Sequence, residues 1–158
     1  MSQFPQLIQQ DIDLIDNVLR ELLKKSEAHI ALLVEKAGYL IHQCGNPEAI
    51  DTTTFATLGS NAYNAVQFMA NLVIETNFTS MYQQGENYST LMLNVDENSL
   101  LVILFPTHLT VGSMKYYAAP TVKIIADQIQ VATQRGNGAL DLSDLDPTDV
   151  RSLFQKKD

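Results

Sequence analysis

Residues 51–75 read DTTTFATLGSNAYNAVQFMANLVIE, and nothing between Asp51 and Glu75 carries a charge. Asp51 and the three threonines after it offer capping oxygens, so a helix is expected from about Thr53 to Thr76. Phe55, Leu58, Ala62, Val66, Met69 and Val73 recur at helical spacing and form the stripe expected to meet a core. The other positions, among them Ala56, Gly59, Ser60, Tyr63, Asn64 and Gln67, are mostly small or polar. A solvent-facing helix surface normally keeps its charges. The segment is also too rich in Asn, Ser and Thr to span a lipid bilayer. Depletion of charge marks a face covered by protein. The preferred cover is the same helix of a second subunit, because two-fold homodimers are the commonest oligomers. A central helix inside a monomer is the alternative.

Before this helix, Ile8, Ile12, Ile15, Leu19 and Leu22 share one face of a helix expected over 6–26. Ala28–Glu35 and Tyr39–Cys44 read as two strands, and Lys36-Ala37-Gly38 between them reads as a hairpin loop. After the uncharged helix, three more strands are expected at Phe78–Glu86, Ser89–Val95 and Leu100–Pro106. A long helix follows over Val111–Arg135, bent but not broken by Pro120, and Gly136-Asn137-Gly138 should end it. Asp146-Pro147 then looks like the start of a short terminal helix. The fold class is therefore α/β, an α+β sandwich. A five-stranded antiparallel sheet carries helices on both faces, in the order α-β-β-α-β-β-β-α plus a short C-terminal helix. The expected organisation is one domain over 1–135, a linker over 136–145 and the terminal helix and tail over 146–158.

The chain has 158 residues, 46% of them hydrophobic and 18% charged, so it can bury a core without covalent staples. Its formal net charge of −8 argues against nucleic acid or an anionic membrane as partner. No lysine or arginine lies between Lys36 and Lys115, so the middle of the chain is no phosphate-binding surface. One cysteine excludes an internal disulfide, and no basic and apolar leader opens the chain, so a cytoplasmic protein is expected.

No catalytic constellation emerges. Phosphate-cradling glycine motifs are absent, which argues against nucleotide binding by the chain itself. His29, His42 and His108 are far apart. A His29–His42 metal pair is conceivable across the hairpin, but no carboxylate or thiol spacing supports it, so no metal and no cofactor are expected. Cys44 reads as a packed thiol, because no basic neighbour or helix start is there to activate it. Tyr116 and Tyr117 can cover apolar surface or anchor a partner.

Three stretches together resemble the roadblock / dynein light chain superfamily: ALLVEKAGYLI at 31–41, IDTTTFATLGSNAYNAVQFMANL at 50–72, and LLVILFPTHLTVGSMK at 100–115. The tail LDLSDLDPTDVRSLF at 140–154 is similar to the acidic C-terminal helix of the bacterial MglB-like branch. The resemblance implies a homodimer with a continuous sheet and paired second helices. It also implies that the dimer binds a small Ras-like GTPase of the MglA type and stimulates GTP hydrolysis in bacterial polarity or gliding motility. Carried over, it places the GTPase or dimer contact at Ala56, Gly59, Ser60, Tyr63, Asn64 and Gln67, with a further contact at Arg151, Leu153 and Phe154 of the terminal helix. The arginines are Arg20, Arg135 and Arg151, none on the second helix, so activation without an arginine finger is expected. A scaffold that binds partners and leaves hydrolysis unchanged is the alternative. A small-molecule sensor is the third class, and no polar residues converging on an apolar pocket support it.

Overall fold

The structure, a computed structural model, describes residues 3–46 and 50–140. Its elements are α1 (Gln9–Ser26), β1 (Ile30–Glu35), β2 (Leu40–Gly45), α2 (Thr52–Leu72), β3 (Ser80–Gln84), β4 (Tyr88–Asn94), β5 (Ser99–Pro106) and α3 (Val111–Leu140). The strands form one antiparallel sheet in the order β2-β1-β5-β4-β3. The most apolar strands, β1 and β5, pair in its centre, and β2 and β3 are its edges.

Strand alternation divides the core into two layers. Ala31, Leu33, Leu101, Ile103 and Phe105 point to one face, where Ile15 and Leu19 of α1 and Met114, Ala118, Ile125 and Ile129 of α3 cover them. Ile30, Leu32, Val34, Leu100 and Val102 point to the other, where Ala56 and Tyr63 of α2 cover them. Two helices on one side and one on the other make a three-layer molecule.

The local signals act as their chemistry dictates. Asp51 caps α2, accepting from the Thr54 backbone N–H at 3.1 Å and the Thr54 hydroxyl at 2.6 Å. Gly38 closes the β1–β2 hairpin at φ +110°, where a side chain would be strained. Asp11 lies fully buried in the first turn of α1 and accepts from the Ile8 backbone N–H. Arg135 of α3 grips the same carboxylate with both terminal nitrogens, at 2.8 and 3.0 Å, and Gln128 donates to it at 2.6 Å. This network ties α1 to α3. The Arg135 bonds hold the Asp11 carboxyl far below the usual carboxylate range, against the opposing effect of burial.

Two expectations need correction. The helix α3 does not stop at Arg135 but runs through Gly136 to Leu140; that it passes Pro120 without a break is as expected. Glycine lowers helix propensity without forbidding a helix. The missing Pro120 N–H leaves one backbone bond unmade, while the buried stripe of Met114, Ala118, Ile125, Ile129 and Ala132 keeps both halves on the sheet. The second correction, to the orientation of α2, bears on the site below. The rest of the expected linker and the terminal helix from Asp146 lie outside the described residues, as do Arg151, Leu153 and Phe154.

Candidate functional site: the outer face of α2

Helix α2 meets the sheet with its small face. Ala56, Ser60 and Tyr63 are fully buried, and Thr52 and Gly59 are buried beside them. Gly59 permits the close approach: a Cβ built there would sit 3.1 Å from the Met92 methyl carbon. Tyr63 fills the largest space, its ring 4.8 Å from that of Phe78 and beneath the Lys36 ammonium at 5.7 Å. Its hydroxyl is buried with no hydrogen-bond partner among the described residues, and burial pushes its pKa up to about 12. Side chains pin the helix to the hairpin, with the Thr57 hydroxyl donating to the Gly38 carbonyl and the Asn64 amide donating to the Lys36 carbonyl, both at 2.9 Å.

Most of the stripe expected to face the core therefore points the other way: only Phe55, at the start of the helix, packs partly against the core, and Val66 is half-buried. Leu58 is 63% exposed, Met69 64% and Val73 77%. Phe68, Leu72 and Ile74 extend this surface, each more than two-thirds exposed. The reason is steric. Leu32, Val34, Leu100, Val102 and Met92 already fill much of the sheet face with large side chains, so the helix lying on it presents small residues at Ala56, Gly59 and Ser60 and a single large one, Tyr63. Of the six residues expected at a contact, Ala56, Gly59, Ser60 and Tyr63 belong to the subunit's own core, and Asn64 and Gln67 are half-buried. Lack of charge singled out the helix, and hydrophobic periodicity then chose the wrong side of it. What is left uncovered is a run of large apolar side chains along the helix and just past its end, more than an isolated surface leucine or two.

The arginines divide differently. Arg20 donates to Asp16 on its own helix at 2.6 Å, and Arg135 is held by Asp11. Tyr116 is exposed, while Tyr117 packs partly against the core beside α1. Cys44 is buried as expected, and desolvation, with the Asp16 carboxylate adding to it, pushes its thiol up to about 12, so it is no free thiolate. Among the described residues no helix is long and apolar enough to cross a membrane.

An antiparallel five-stranded sheet with two helices beneath and one uncharged helix above is the roadblock architecture. The Roadblock/LC7 domain model matches residues 14–105, more than half the chain, and the chain belongs to that family. No curated protein matches its sequence. Among solved structures, Myxococcus xanthus MglB superposes with a TM-score of 0.75 at 24% identity, covering 80% of this chain and 96% of that one. The gliding protein MglB of Thermus thermophilus gives 0.76 at 24% identity, covering 83% and 99%. An MglB with tetrameric arrangement gives 0.76 at 24% identity, covering 84% and 99%.

Proposed function

We propose that this chain is a homodimeric regulator of a small Ras-like GTPase of the MglA type, accelerating its GTP hydrolysis in a cytoplasmic system of bacterial polarity or gliding motility. The observation that carries the proposal is the uncovered apolar face of α2, on a fold shared with MglB proteins. Leu58, Phe68, Met69, Leu72, Val73 and Ile74 serve both contacts, part against the second copy and part against the GTPase. Strand β3, which follows α2 and forms an edge of the sheet, pairs with its counterpart to continue the sheet across the dimer. The tetrameric arrangement of one MglB supports self-association of this fold.

Among the described residues the chain offers no catalytic group of its own. An arginine finger must be free to reach the transferring phosphate. Arg20 and Arg135 are each engaged by an internal carboxylate. On this reading the dimer works by holding the GTPase's own residues in place, and Arg151, outside the described residues, is the arginine left for experiment to test. Single-turnover GTP hydrolysis by the Ras-like GTPase of the same organism, with and without this protein, tests the proposal. The expected result is a dose-dependent acceleration that survives Arg20→Ala, Arg135→Ala and Arg151→Ala to within about tenfold. An arginine finger is worth roughly 10³–10⁵-fold, so a loss of that size from any one variant contradicts the fingerless mechanism. Binding without acceleration makes the protein a scaffold.

A further inference from the structure

Three chemically different metal donors meet between α1 and β2. His42 and Cys44 are two residues apart on the strand, so both point to the face beneath α1, while Gln43 between them points away and accepts from the Thr52 hydroxyl of α2. Asp16 reaches down from α1. A carboxylate oxygen of Asp16, a ring nitrogen of His42 and the sulfur of Cys44 all lie within 4.8 Å of one another. Asp16 Oδ1 stands 2.8 Å from His42 Nε2 and 3.2 Å from Cys44 Sγ. The other carboxylate oxygen, Oδ2, accepts from Arg20 Nε at 2.6 Å, which fixes the orientation of the group and leaves Oδ1 aimed at the imidazole and the thiol.

We propose that Asp16, His42 and Cys44 form a zinc site that clamps α1 to the edge strand β2. A thiolate, an imidazole and a carboxylate are the donors zinc takes, and the sulfur disfavours magnesium and calcium. Around tetrahedral zinc such donor atoms lie roughly 3.3–3.7 Å apart, so the three side chains need only small adjustments. Cys44 is 6% exposed and closes the site from below, whereas the side chains of His42 and Asp16 are 22% and 26% exposed. That opening leaves the fourth position to water. On binding, the Cys44 S–H bond breaks, a Zn–S bond forms and the proton passes to solvent. His42, whose Nε2–H donates to Asp16 in the metal-free protein, loses that proton to solvent and takes one up on Nδ1, which frees the Nε2 lone pair for the metal.

The test uses the full chain freed of metal by a chelator and titrated with Zn²⁺, and separately with Co²⁺. Equimolar Co²⁺ is expected to produce a thiolate-to-cobalt charge-transfer absorption, and Zn²⁺ to raise the Tm. Cys44→Ser should abolish the absorption. His42→Gln should weaken Zn²⁺ binding by at least about a hundredfold, since even groups outside the ligand shell are worth 10–100-fold. A Co²⁺ complex without the thiolate band overturns the proposal, as does equal Zn²⁺ affinity for the Cys44→Ser and unsubstituted chains. The cobalt band is read on the unsubstituted protein, so it stands even where a variant fails to fold.

Discussion

Two residues of α2 show how tightly the helix is fitted to the sheet. Gly59 lies under the Met92 methyl carbon, where a Cβ would already be 3.1 Å away. Larger side chains have no room. Gly59→Leu is expected to cost about 1–3 kcal/mol, the usual penalty of overpacking, read as a lower urea midpoint. The flexible Met92 end can yield to a single methyl, so Gly59→Ala should be far milder and partly offset by helix propensity. Tyr63 makes the opposite case. Its hydroxyl is buried without a partner among the described residues, so Tyr63→Phe removes a desolvated polar group and loses no bond. Urea denaturation should show the variant unchanged or more stable by about 1 kcal/mol. A clear loss of stability would mean that the hydroxyl does have a partner.

At the scale of elements, the α1–α3 pair hangs on Asp11, the buried carboxylate held by Arg135, Gln128 and the Ile8 N–H. Its folded pKa is depressed, so the native state binds fewer protons than the unfolded chain as pH falls through the ordinary carboxylate value of 3.8. The stability it contributes is complete above that value and is lost progressively below it. Asp11→Asn should cost about 1–2 kcal/mol at neutral pH, discounted because Arg135 is partly exposed. The gap to the unsubstituted chain should narrow by about pH 2–3 in urea titrations. A gap that is constant with pH would contradict the assignment. Neither this network nor the Asp16–His42–Cys44 trio could be read from the sequence. Arg135 and Asp11 are 124 residues apart, and Asp16 and His42 are 26 apart. Sequence spacing reports neighbours on one helix or strand, and only the packing of elements brings such pairs together. Element order and the antiparallel sense of the sheet, by contrast, were readable, because the Asp51 cap, the Gly38 turn and the strand alternation are local signals, whereas the central β1–β5 pairing joins strands distant in sequence and was not.

At the scale of the whole molecule, absence of charge picked out α2, and periodicity then chose the wrong side of it. The stripe rule assumes that the core takes the largest side chains. Here the sheet supplies the bulk, and α2 brings Ala56, Gly59 and Ser60 to it, turning Phe68, Met69 and Leu72 outward. The central claim is that this outer face joins two copies of the chain. Sedimentation equilibrium of the unsubstituted protein and of Leu72→Asp tests it most directly. Leu72 is 84% exposed in the single subunit, so the change should leave the fold and its far-UV circular dichroism intact. The account predicts a dimer or larger assembly for the unsubstituted chain and a folded monomer for Leu72→Asp. An unsubstituted chain that stays monomeric at high concentration, or a Leu72→Asp chain of undiminished mass, would contradict it.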